Sequence, residues 1–65
     1  MKFKVIFEAY LRRGYVESVK TLLKGLDGVD VLEEDNEHMI IDVSDDTVSV
    51  IEDMILCDYF TAVRQ

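Results

Sequence analysis

Sixty-five residues leave room for one domain with a thin core, because a chain this short buries only about 60% of the surface that its unfolded form exposes. The composition is 49% hydrophobic with three glycines and no proline, which excludes a disordered or linker-rich chain, and no internal repeat is visible. The formal net charge of −7 is unevenly placed: residues 1–24 carry six bases against two acids, and residues 25–65 one base against twelve acids.

Such a balance repels nucleic-acid phosphates and attracts a protein partner with a basic surface. The single cysteine, Cys57, cannot form an intramolecular disulfide, which favours a reducing, cytoplasmic setting. No apolar run approaches the roughly 18–20 residues of a membrane helix, so no membrane partner is expected. The start Met1-Lys2-Phe3-Lys4 does not read as a secretory signal, because Glu8 and Arg12 interrupt the apolar stretch after it.

Residues 2–11 alternate with period two and predict a first strand. Phe3, Val5, Phe7 and Ala9 fall on one face; Lys2, Lys4, Ile6, Glu8 and Tyr10 fall on the other. After Arg12-Arg13-Gly14 the period becomes helical. Val16, Val19, Leu23 and Leu26 form a stripe with Tyr15 and Leu22 on its flank, while Glu17, Ser18, Lys20, Thr21 and Lys24 are expected in solvent. Gly28 is expected as the left-handed residue that closes this helix.

Two further alternating runs, 29–34 and 38–43, flank the turn-forming Asp35-Asn36-Glu37 and predict a hairpin. Ser44-Asp45-Asp46 is a helix-start signal, since side-chain oxygens cap free N–H groups and negative charge suits that end of the dipole. Val48, Ile51, Ile55 and Tyr59 make the next core stripe, and residues 59–64 are either a short last strand or a helix end. The whole chain is expected to form one α+β domain. Right-handed connections turn the order into a ferredoxin-like βαββαβ sandwich, with two helices on one face of an antiparallel sheet whose central strands are the first and third.

Chemistry finds little support in the residues. The only histidine, His38, is expected on the outer sheet face, with Cys57 across the sheet on the second helix, so neither has a partner for nucleophilic catalysis. No glycine-rich phosphate loop is present. Arg12-Arg13-Gly14 occupies the loop where a metal-binding domain of this topology would hold paired cysteines, and 33–38 lacks the spacing of a calcium loop, so no metal or cofactor is expected. Single-stranded nucleic acid is disfavoured too, because Phe3 and Phe7 point into the core.

Partner surfaces are the positive signal. Ile6, Leu32 and Ile40 are expected to point away from the helices on three neighbouring strands, which suggests a homo-oligomer or partner interface. Val50, Met54 and Cys57 place a second apolar stripe on helix two, of which packing against helix one would explain a part. Glu33, Glu34, Asp35 and Glu37 concentrate negative charge at the hairpin, either as a solubilising surface that also protects strand edges or as a contact for a basic protein. Small acidic inhibitors from phages and mobile elements, which occupy nucleic-acid-binding grooves, are similar in size and charge. The sequence thus points to a non-enzymatic interaction module, a regulator or inhibitor; the alternative is a dimeric domain that senses a small molecule.

Overall fold

A computed structural model describes residues 1–9 and 11–65. The elements run β1 (Lys2–Ile6), α1 (Arg13–Gly25), β2 (Val29–Glu34), β3 (His38–Val43), α2 (Val48–Leu56) and β4 (Thr61–Arg64). The four strands form one antiparallel sheet in the order β2-β3-β1-β4, the expected βαββαβ topology, with residues 61–64 resolved as a strand. Among the described residues, no helix is long and apolar enough to cross a membrane.

Strand alternation sends one set of side chains toward the helices. Phe3 and Val5 of β1 and Met39, Ile41 and Val43 of β3 are buried with Phe7, Val19, Leu23, Ile51 and Phe60 in a single core. Both helices therefore cover the same sheet face. β1 is shorter than its period suggests. Ile6 is opposed by His38 and Thr61, the first residues of β3 and β4, and is the last residue of β1 paired to either strand among the described residues. Phe7 still donates its N–H to the Glu37 carbonyl, and Leu11 closes a turn onto the Glu8 carbonyl. Tyr10, expected on the outer face of that strand, lies outside the described residues.

Several details differ from the expected pattern for identifiable reasons. α1 ends at Gly25, so Gly28 is not its closing residue. With φ +84° it occupies the third position of a turn in which Val29 N–H donates to the Leu26 carbonyl, a conformation that requires a glycine. Tyr15 and Leu22 are exposed, and α1 leans instead on the other flank of its stripe, where Lys20 is 6% exposed. Phe60, not Tyr59, enters the core after α2.

The expected cap of α2 is displaced as well. The Ser44 hydroxyl donates to Thr47, and the Ser44 carbonyl receives the N–H groups of Thr47 and Val48, so a tight turn precedes the helix. Its other end is a Schellman closure: Asp58 N–H reaches the Ile55 carbonyl and Tyr59 N–H the Met54 carbonyl. Asp58 takes the left-handed conformation there, with φ +60°.

Candidate interaction surface

Among the described residues, no helix or strand covers the sheet face away from the helices, and strand register sets its pattern. On β1 it presents Lys2, Lys4 and Ile6. On β3, Asp42 stands opposite Lys2, Ile40 opposite Lys4, and His38 opposite Ile6. On β4, Val63 stands opposite Lys4 and Thr61 opposite Ile6. On β2, Asp30 stands directly opposite Asp42.

A β-bulge at Leu32 decides the rest of β2. Val31 pairs with Ile41 and Glu33 with Ile40, so Leu32 is the extra residue. The slip turns Glu33 outward beside Ile40 and brings Glu34 to the helix side, opposite buried Met39. There Glu34 Oε2 lies 2.8 Å from Lys24 Nζ, and its other oxygen lies 3.7 Å from Lys20 Nζ. Lys24 holds the Glu34 carboxyl below its ordinary pKa, chiefly by donating to it.

Ile6, Ile40 and Val63 share the open face, and alternation after inward-facing Val31 puts the bulged Leu32 there too. Ile6 and Ile40 are half-buried by their neighbours, whereas Leu32 and Val63 are 52% and 51% exposed. Val63 becomes legible only once 61–64 is known to be a strand, since four residues are too few for alternation to separate strand from helix end.

The hairpin acids divide into two kinds. Asp35 organises its own turn: Oδ1 accepts the N–H groups of Glu37 at 2.7 Å and His38 at 2.8 Å. Those two bonds lower the Asp35 pKa. Its Oδ2 lies 3.0 Å from His38 Nδ1, while His38 Nε2 lies 3.6 Å from Glu33. Glu34 and Asp35 therefore make contacts within the fold, although both stay exposed. Glu33 and Glu37 remain exposed.

Lys20 is the larger correction. It follows Val16 by four residues and precedes Leu23 by three, so helical geometry puts its stem on the core flank. The stem is buried and the ammonium reaches the hairpin, donating to the Asp35 carbonyl at 3.0 Å and lying 5.4 Å from the centre of the Phe7 ring. Lys20, Phe7, Val16, Arg13 and Glu37 line a cavity of about 660 Å³ between α1, the β1–α1 connection and the hairpin.

The apolar stripe of α2 also divides. Met54 packs against the core, whereas Val50 stays 44% exposed. Cys57 is exposed at the end of the helix, and the neighbouring Leu56, which its position in the sequence does not single out, is 80% exposed. The Tyr15 hydroxyl donates to the Tyr59 carbonyl and ties the start of α1 to the end of α2.

No protein-family model matches the chain, and no curated protein and no solved structure matches it significantly.

Proposed function

We propose that this domain is a non-enzymatic interaction module, a small cytoplasmic regulator or inhibitor that acts by binding another macromolecule. Its open sheet face associates with a second copy, and its remaining acids meet a protein partner with a basic surface. One observation carries this reading: Ile6, Leu32, Ile40 and Val63 occupy the same uncovered face, one from each of the four strands. Scattered apolar side chains are ordinary on any surface, but a set spread over every strand of one sheet face is a continuous patch suited to burial.

The charge supports the second half. Glu37 at the hairpin and Asp45 and Asp46 before α2 are exposed and lie outside the strands of the open face. Acids so placed compete with nucleic acid for a basic groove on the partner. The test is capture from native lysate with the wild type and with a variant carrying Glu37→Gln, Asp45→Asn and Asp46→Asn. A basic protein retained by the wild type, released by salt and lost with the variant supports the reading. Equal retention by both baits returns these acids to a solubilising role.

A second reading, a domain that senses a small molecule, is favoured by the cavity beside Lys20, whose volume falls in the range of small-ligand pockets. A thermal shift of several degrees with a metabolite, abolished by Lys20→Met, would favour it over the first.

A further inference from the structure

We infer that two copies stack through their open sheet faces about a two-fold axis parallel to the strands, so that β1 of each copy lies over β3 of the other. This rests on the self-association proposed above and adds its geometry.

The outward charges are sorted by strand. β1 carries Lys2 and Lys4; β3 carries Asp42; β2 carries Asp30 and Glu33; β4 shows only Thr61 and Val63. One half of the face is therefore acidic and its neighbour basic, with the boundary between β3 and β1 near the middle of the sheet. An aligned packing of two such faces has two choices of in-plane two-fold axis. An axis across the strands sets each strand over its own copy, which brings Lys4 toward Lys4 and Glu33 toward Glu33. An axis along the strands reverses their order, and the basic strand of each copy meets the acidic strand of the other. Lys2 then faces Asp42 of the second copy twice, by symmetry.

The acids of the free face support this pairing. Asp30 and Asp42 stand directly opposite each other across β2 and β3, an arrangement that is unfavourable between like charges. In the free chain Asp42 is offset by Lys2 opposite and by the Met1 amino group at 3.2 Å. A second copy brings Lys2 and Lys4 over this half of the face. Ile6 of one copy and Ile40 of the other then fall one row apart in the same column, while the aliphatic stem of Lys4 covers Ile40 of the second copy. The area is small: four strands at roughly 4.8 Å spacing and about 3.3 Å per residue make a flat face of about 350 Å² per copy, below the roughly 600 Å² per partner at the low end of stable interfaces. The dimer should therefore be weak and sensitive to salt.

Complementary charge reversal tests the geometry. One variant carries Lys2→Glu and Lys4→Glu, so its strand faces carry acids alone; the other carries Asp30→Lys and Asp42→Lys, which leaves Glu33 as the one acid on a face otherwise basic. Sedimentation of each alone should give a monomer, with self-affinity at least about tenfold weaker than that of the wild type. An equimolar mixture should restore a dimer. Circular dichroism checks folding, and the single reversals Lys4→Glu and Asp42→Lys replace any double variant that fails to fold. A wild-type dimer whose reversed variants still self-associate, or whose mixture stays monomeric, overturns the geometry while leaving self-association intact. A wild type that is monomeric at high micromolar concentration overturns both.

Discussion

Lys20 Nζ lies 3.0 Å from the backbone carbonyl of Asp35, so a lysine from the middle of α1 fastens that helix to the β2–β3 hairpin. Lys24, one turn further on, makes a shorter contact with Glu34 but is exposed. Burial, not separation, decides which of the two matters more for stability.

Lys20→Ala removes a buried stem and leaves the Asp35 carbonyl without this donor, which should cost about 2 kcal/mol. Lys24→Ala breaks a surface pair and should cost about 0.5 kcal/mol or less. Urea unfolding of the two variants checks the ranking; equal losses would show that the Lys20 contact contributes little.

Acid should loosen the hairpin. Lys24 lowers the pKa of Glu34, and the Glu37 and His38 N–H groups lower that of Asp35. A carboxyl whose pKa is depressed on folding stabilises the fold above its unfolded value, and that contribution is lost as pH falls through the folded value. Stability should therefore hold down to the ordinary carboxylate range near pH ~4 and fall below it. Asp35→Asn keeps an oxygen acceptor for the turn but no longer titrates, so its stability should fall less steeply over that interval. Unfolding measured across a pH series would contradict this if the two slopes agree.

Asp58 closes α2 in a left-handed conformation that glycine adopts without a steric penalty. Asp58→Gly should therefore raise stability by about 0.5–1 kcal/mol, despite the greater freedom of glycine in the unfolded chain. A lower thermal midpoint for this variant would indicate that the aspartate side chain stabilises the closure through a contact of its own.

The architecture is legible in the sequence because it rests on periods. Alternation in 29–34 and 38–43 around Asp35-Asn36-Glu37, and the helical step from Val16 to Leu23, suffice to order the elements and put Ile6 and Ile40 on the open face. The features that escape depend on register between distant strands. Nothing local in Val29–Glu34 announces a bulge at Leu32, yet that one residue exchanges the faces of Glu33 and Glu34 and supplies Lys24 with its partner. Charge alone assigns Lys20 to solvent, although its place between Val16 and Leu23 on the helix surface already puts its stem beside the core. The opposition of Asp30 and Asp42 likewise exists only once β2 and β3 are aligned.

Sedimentation equilibrium of the wild type and of Ile40→Lys tests the central claim most directly. Ile40 lies on the open face opposite Lys4, outside the core, so its replacement sets a second base against Lys4 without opening a core cavity. Concentration-dependent dimerisation of the wild type, together with a folded and strictly monomeric Ile40→Lys, is the predicted result. A wild type that stays monomeric at high micromolar concentration, or an Ile40→Lys variant that dimerises as the wild type does, would contradict the assignment of this face as an interaction surface.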